Sequence, residues 1–312
     1  MSTNNNRLIS IIIATHERPQ LLLRTLTSVA KQTYRPLEVV IVDDGSGPAT
    51  REAVQHWKKQ ARPEFAVRYQ WQENQGPATA RNRGVEAGQG ELIQFLDDDD
   101  LMCPDTLAHL ADALKDARKG IAMASYQYWE NGNPLGACIY PEAVGAEDAL
   151  RTMIQGTWFV PIHGYLFTRS ALEHIGPWNP VLTSQEDDEF LLRAAMAQIP
   201  LYPAPRAKVY YCQHAGPRRA CPGQPGEAVL QGLKKRMYAD LAIRESAFET
   251  LSQYSDMEPY RIPFALWQMR LRKRYSPVLH KLEPQSELLE WLTSSVEEEN
   301  DASEPPPPVA SV

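Results

Sequence analysis

The chain has 312 residues, enough for about two domains or for one large domain with extensions. With 43% hydrophobic, 23% charged and 9% aromatic residues, it is neither wholly disordered, nor collagen-like, nor a disulfide scaffold. The formal net charge is -7, but Glu297, Glu298, Glu299, Asp301 and Glu304 supply five of the negative charges, and the rest is close to neutral. Phosphate-backbone binding needs a domain-wide positive field, so nucleic acid is a poor main partner.

The elements follow in chain order. Residues 8–14 form an apolar run too short for a membrane span, with flanks wrong for a secretory leader, and read as a buried strand. A helix over 19–31 and a strand over 37–42 come next, the strand ending in Asp43-Asp44-Gly45-Ser46. The rhythm repeats with a helix near 51–60, a strand at 67–71, a helix near 78–87 and a strand at 91–96 that runs into Asp97, Asp98, Asp99 and Asp100. Continuous β-branched runs separated by helices of ten or more residues predict an α/β domain with parallel strands covered on both faces.

Beyond residue 121 the pattern loosens. Residues 121–129 and 135–139 flank Asn131-Gly132-Asn133 and read as a strand pair joined by a tight turn. Residues 159–167 read as extended, 170–174 as helical, and 185–197 as a helix closed by Pro200. Helices are expected over 228–250 and 263–275. Residues 294–312, with Glu-Glu-Glu and four consecutive prolines, read as a tail. Cys103, Cys138, Cys212 and Cys221 are scattered without staple spacing, which points to a reduced, cytoplasmic setting.

In an open parallel sheet, ligands bind outside the carboxyl ends of the strands. This chain puts Thr15, Asp43, Asp44 and the run Asp97–Asp100 there. Two carboxylates about 6 Å apart repel by roughly 3 kcal/mol at an effective dielectric of about 20, so the run requires solvent, protonation or a cation. Pro104 and Asp105 already start the following helix, and the aspartates are not needed as its cap. Hard carboxylate oxygens select Mn²⁺ or Mg²⁺, which suggests a metal-diphosphate ligand. Arg81, on a helix one unit upstream, offers positive charge, though an exposed helical arginine is an equally good reading of that residue alone.

The succession Ile11-Ile12-Ile13-Ala14-Thr15, Val42-Asp43-Asp44-Gly45-Ser46, Gly76-Pro77 with Ala80-Arg81-Asn82-Arg83-Gly84, and Phe95-Leu96-Asp97-Asp98-Asp99-Asp100 closely resembles glycosyltransferase family 2, over about residues 8–211. The resemblance implies a GT-A fold: a Rossmann-like, mostly parallel sheet with helices on both faces, followed here by a helical C-terminal extension. It implies inverting transfer from a nucleotide sugar. It divides the chain into a GT-A domain over 1–220, with a nucleotide-sugar half at about 8–120 and an acceptor half at about 121–220, then an extension over 221–293 and the tail.

Carried over residue by residue, the resemblance implies that Thr15 and Asp44 hold the base and ribose and that Arg81 lies near the nucleotide. The Asp-x-Asp signature falls on Asp97-Asp98-Asp99, with Asp97 and Asp98 on the donor side and Asp99 on a Mn²⁺ or Mg²⁺ ion, and the register within the run can slip by one. His16 stands where the family often carries an aromatic ring. A second acidic cluster, Gln185-Glu186-Asp187-Asp188-Glu189, matches the family's Glu-Asp motif and makes Asp187 the catalytic base. Thr183/Glu186 and Ser184/Asp187 also satisfy capping-box spacing, so a purely structural reading of that cluster competes. His214 resembles the histidine that approaches the metal. A zinc site from Cys212, His214 and Cys221 is a weaker rival, lacking a fourth ligand.

Trp158, Trp178 and His163 lie where the family builds its acceptor pocket, and carry no assigned role. Residues 261–281 hold six basic and no acidic side chains, a mixture suited to an anionic membrane surface or, as the preferred reading, to a packed helix with a solvated basic side. Two other functional classes stay open: a sugar-phosphate nucleotidyltransferase and a non-catalytic nucleotide-sugar-binding protein of the same fold.

Overall fold

The computed structural model describes residues 6–140, 146–182, 184–213, 227–254 and 256–282. The tail, Cys221, Thr183 and His214 lie outside the described residues. In chain order the elements are β1 (Ile9–Thr15), α1 (Pro19–Ala30), β2 (Leu37–Asp44), α2 (Pro48–Ala61), β3 (Ala66–Gln72), α3 (Pro77–Ala87), β4 (Leu92–Phe95), β5 (Leu101–Met102), α4 (Thr106–Ala113), β6 (Ile121–Glu130), β7 (Asn133–Ile139), α5 (Ala146–Ile154), β8 (Tyr165–Thr168), α6 (Arg169–Ile175), α7 (Glu186–Met196), β9 (Leu201–Gln213), α8 (Glu227–Tyr254) and α9 (Arg261–Leu282).

The chain divides into two compact units. The first comprises Met1–Gly145, Phe159–Val181 and Ala197–His214 and contains the whole sheet, in the order β3-β2-β1-β4-β8-β6-β9-β5, with β7 paired to β6. Strands β1, β2, β3, β4, β6 and β9 run one way, and β5, β7 and β8 oppose them. The α/β class and the mostly parallel sheet expected from the sequence are thus present. Ile9, Ile11, Ile12, Ile13, Val39, Val40, Ile41 and Val42 are all essentially inaccessible, the mark of strands covered on both faces. Right-handed crossovers put α1 and α2 on one face and send α3, which returns from β3 to β4, to the other. There Gly84 lies so close to Ile12 that an added methyl would clash, at an expected cost of about 1–3 kcal/mol.

Local chemistry explains most boundaries. Pro19, Pro48 and Pro77 open α1, α2 and α3, where a missing N–H costs nothing. Asn131 (φ 49) and Gly132 (φ 88) both take the left-handed backbone that a two-residue hairpin requires, so the turn falls where the sequence puts it. The extended stretch expected over 159–167 is shorter than read: a 3₁₀ turn at Ile162–Gly164 precedes β8, and only Tyr165–Thr168 pairs, antiparallel to β4 and β6. Strand β9 was not readable from pattern, because Pro203 and Pro205 interrupt it where its register against β6 shifts.

The second unit comprises Ala146–Trp158, Leu182–Met196 and Ala215–Val312, and its described elements are helical. Helix α8 places Arg244 in its interior, ion-paired to Asp240 at 2.7 Å and donating to the Met153 carbonyl at 3.0 Å. None of the described helices is long and apolar enough to cross a membrane.

Candidate active site

The first unit gathers polar side chains just beyond the carboxyl ends of β1, β2 and β4, as an open sheet should. Thr15 ends β1 and donates its hydroxyl to Asp98 Oδ2 at 2.6 Å. Asp44 ends β2, is buried, and accepts from Gln72 Nε2 (2.8 Å), the Gln75 N–H (2.8 Å) and the Gly76 N–H (2.9 Å). Asp44 therefore clamps the turn that launches α3. Neighbouring Asp43 accepts from the Ser46 N–H and the Tyr69 hydroxyl, and His16 Nδ1 lies 2.8 Å from the Asp44 carbonyl.

The acidic run after β4 is held from several directions. Arg81 Nη2 pairs with Asp97 Oδ1 at 2.9 Å. Arg81 is buried, and its guanidinium lies 4.5 Å from the Trp178 ring centre, with that ring edge-on to Phe95. Asn82 fastens the Trp178 backbone through both its N–H and its carbonyl. Trp178 is thus the floor beneath a buried arginine, and Arg81 is no solvated helix residue. Arg18 reaches Asp99 Oδ2 at 2.9 Å and Asp98 Oδ1 at 3.5 Å. Thr25 and Arg24 bind the backbone carbonyls of the turn.

Asp100 is the deepest member. Its Oδ1 accepts the Cys212 N–H at 2.6 Å, tying the turn to the end of β9, and its Oδ2 lies 3.1 Å from His163 Nδ1 without hydrogen-bonding geometry. Burial, then the charges of Asp99 and Asp97, pushes the Asp100 carboxyl well above the usual carboxylate range. Burial lowers His163 to about 4, against the pull of Asp97 and Asp99. At neutral pH this contact is therefore not an ion pair: the imidazole is neutral, the form in which histidine ligates metals.

Donor atoms of Asp97, Asp100 and His163 all lie within 4.8 Å of one another. Two carboxylates and a neutral imidazole, with buried Asp100 Oδ2 and His163 Nδ1 facing each other without a hydrogen bond, fit a divalent cation. Asp99, the ligand expected from sequence, is paired with Arg18 at 2.9 Å. Sequence reasoning left Arg18 out of this constellation, included Asp100 only as the end of a run whose register can slip, and named His163 without a role. Arg18 was findable, since it lies in the loop after β1 on the ligand-binding edge, whereas nothing local in the sequence pairs His163 with Asp100, 63 residues before it.

The second unit holds the other acidic cluster. Helix α7 begins at Glu186, after Gln185 in left-handed backbone, with Glu186, Asp187, Asp188 and Glu189 all in its first turn. Ser184 Oγ is buried without a hydrogen bond among the described residues, so the cap expected from Ser184 is not made. Glu189 binds Arg193 through both carboxylate oxygens, at 2.6 and 2.9 Å. Asp188 keeps solvent access yet is crowded by protein: burial chiefly, with Asp240 and Glu186, raises its carboxyl, while Arg244 and Arg236 oppose.

Comparison with known proteins places this geometry. A model of glycosyl transferase family 2 matches residues 10–176, more than half of the chain. An uncharacterized glycosyltransferase of Nostoc sp. is 30% identical over 177 residues, covering 55% of this chain and 54% of that protein. The putative teichuronic acid biosynthesis glycosyltransferase TuaG of Bacillus subtilis is 32% identical over 162 residues, covering 51% of this chain and 64% of the relative. The chain thus matches about half to two thirds of these relatives' length. Among solved structures, S. aureus TarS 1-349 in complex with UDP-GlcNAc superposes with a TM-score of 0.60 at 18% identity, covering 91% of this chain and 86% of TarS. Mannosyltransferase PcManGT from Pyrobaculum calidifontis, in complex with GDP-Man and Mn2+, gives 0.56 at 19% identity, covering 91% and 77%. The GT-A fold expected from the motifs is the fold observed, and with a family model matched across the acidic turn, the chain belongs to glycosyl transferase family 2.

Proposed function

We propose that the protein transfers a glycosyl residue from a nucleoside diphosphate sugar to an acceptor hydroxyl, with inversion, in glycan biosynthesis. The observation that carries this reading is the strand-end acidic turn, whose carboxylates are arrayed on Thr15, Arg18 and Arg81 around a cation-sized convergence of donor atoms. The relatives support it: the names of TuaG and of a β-1,3-glucosyltransferase of Campylobacter jejuni, 32% identical over 116 residues, describe glycan assembly, and the similar structures hold UDP- and GDP-sugars.

In this reading Thr15, Asp44, Asp97 and Asp98 line the donor side and Arg81 faces the diphosphate. A Mn²⁺ or Mg²⁺ ion, when bound, supplies Lewis-acid neutralisation of the leaving diphosphate. Asp97, Asp100 and His163 are the ligand set that the geometry favours, and their imidazole favours Mn²⁺ over Mg²⁺. Asp99 with His214 is the set favoured by the motif. Asp187 takes the proton of the acceptor hydroxyl as its oxygen bonds to the anomeric carbon and the bond to the diphosphate oxygen breaks. Attack opposite the leaving group inverts that carbon.

The test is nucleoside diphosphate release from a panel of nucleotide sugars with Mn²⁺, for wild type, Asp187→Asn and Asp99→Ala. Release by wild type that is lost in Asp187→Asn, with donor binding retained, supports the reading. Pyrophosphate release instead indicates a nucleotidyltransferase, and binding without turnover across a broad acceptor panel indicates a non-catalytic protein.

Helix α9 buries Phe264, Trp267, Leu271 and Tyr275, as the preferred packed-helix reading requires, and a peripheral membrane contact from the cytoplasmic side is the second reading. Ile262 and Met269 are exposed on α9 together with Arg270, Lys273 and Arg274, giving one helix both apolar and cationic exposure. Co-sedimentation with phosphatidylglycerol vesicles at low but not high salt is the expected result, and no binding at either salt removes the idea.

A further inference from the structure

In the sheet-bearing unit, β6 and β9 run parallel, and their register sets Tyr126 beside Val209 and Tyr128 beside Tyr211. These side chains share one face near the carboxyl ends of the strands, the edge at which the acidic turn follows β4. Phe159 joins them from the segment before the 3₁₀ turn. The four rings form a closed circuit: Tyr126 to Phe159 at 5.6 Å, Phe159 to Tyr211 at 5.7 Å, Tyr211 to Tyr128 at 5.7 Å, and Tyr128 back to Tyr126 at 6.0 Å. This circuit is open on one side: Phe159 is 46% exposed and Tyr128 and Tyr211 are half-buried, while Tyr126 is buried behind them and backs the other rings. His163 links the circuit to the acidic turn, with its ring 6.3 Å from that of Tyr211 and its Nδ1 3.1 Å from Asp100 Oδ2.

We propose that Tyr126, Tyr128, Phe159 and Tyr211 form a saccharide platform that seats a pyranose ring of the acceptor. The inference rests on the transferase reading above and adds the acceptor's chemical class. A pyranose with equatorial substituents presents a flat C–H face bordered by hydroxyls. A half-exposed aromatic ring matches that face by dispersion, and phenols at its margin match the hydroxyls. The patch carries no charge, as suits a neutral sugar, and its composition is aromatic where a lipid-binding surface would be aliphatic.

The test is saturation-transfer NMR on the full chain, without donor, using methyl β-D-glucopyranoside and methyl β-N-acetyl-D-glucosaminide as probes. Saturation is expected on the ring C–H protons of at least one probe. Phe159→Ala and Tyr128→Leu each weaken binding about fivefold, in the range of an aromatic contact. Tyr128→Phe keeps the ring contact, and Phe65→Ala, at the opposite end of the sheet, leaves binding unchanged. No saturation in wild type, or equal saturation in wild type and Phe159→Ala, overturns the platform, as does an equal loss in Phe65→Ala. Thermal melts of each variant separate lost folding from lost binding. Nucleoside diphosphate release on the same samples reads the transferase assignment separately: transfer with unaffected ring variants sinks the platform alone, and saccharide binding without donor turnover sinks only the transferase assignment.

Discussion

Two runs of four acidic residues, Asp97–Asp100 and Glu186–Glu189, look alike in sequence and are relieved in opposite ways. The first sits in a turn with no helix of its own, and the fold brings in cations and donors from elsewhere: Arg81, Arg18, Thr15 and the Cys212 N–H. The second opens α7, where the positive end of the helix dipole favours carboxylates directly and Arg193, one turn on, takes Glu189. Runs of the same length and formal charge therefore prepare different chemistry. In the proposed reading, a turn whose charges are balanced by partners from distant segments can take a metal ion among them. At the helix start, burial chiefly, with Asp240 and Glu186, raises the Asp188 carboxyl, and in the proposed reading its neighbour Asp187 moves the proton.

The largest expected effect breaks the second run. Asp187→Asn should lower turnover about 1000-fold, within the range for loss of a general base, while calorimetric donor affinity stays within about twofold. Asp188→Asn should cost less than about threefold. If the two variants exchange these outcomes, the base is Asp188 and the motif register slips by one.

A smaller effect tests the first run. His163→Ala should weaken Mn²⁺ binding about 10- to 100-fold, read by the paramagnetic resonance of free Mn²⁺, whereas Asp99→Ala should weaken it much less because Asp99 is engaged by Arg18. The reverse ranking would favour Asp99 and His214 as ligands.

The two runs also show what a sequence exposes. Strand ends at Thr15, Asp44 and Asp97 were legible because period, turn residues and the carboxyl-edge rule are local. The Asn131-Gly132 hairpin was legible for the same reason. His163 and the Tyr128–Tyr211 pairing were not, because both depend on register between strands far apart in the chain. Trp178 was ambiguous between sugar contact and core, and only its place under Arg81 decides. On α7, Ser184 had the right identity and spacing for a cap and does not make one.

Arg81→Lys comes next in size. Lysine keeps the charge but loses the flat guanidinium that lies over Trp178 while pairing with Asp97, so urea unfolding should show a loss of about 1–2 kcal/mol. The equivalent change on α7, Arg193→Lys, should cost less, about 0.5 kcal/mol, because Arg193, in its i,i+4 pair with Glu189, is more exposed than Arg81 and its guanidinium lies farther, 5.3 Å, from the weaker Phe190 ring. Equal losses would mean that the turn owes nothing to imported cations.

The effect furthest from turnover concerns the tether between Asp100 and β9. The Cys212 thiol is buried, and burial chiefly, with the Asp100 charge, raises it to about 12. Peptide mapping after iodoacetamide at pH 8 should find Cys212 modified more than about 100-fold more slowly than half-buried Cys138, because the thiolate is the reacting species. The sign for stability follows from the raised value: above about pH 9 the unfolded thiol ionises and the folded one does not, so stability falls as pH rises toward 12, and Cys212→Ala should flatten that slope. Rapid alkylation in the native protein would mean that the end of β9 opens readily. The acidic turn would then lack its fixed wall, and the contrast with the self-supporting start of α7 would narrow.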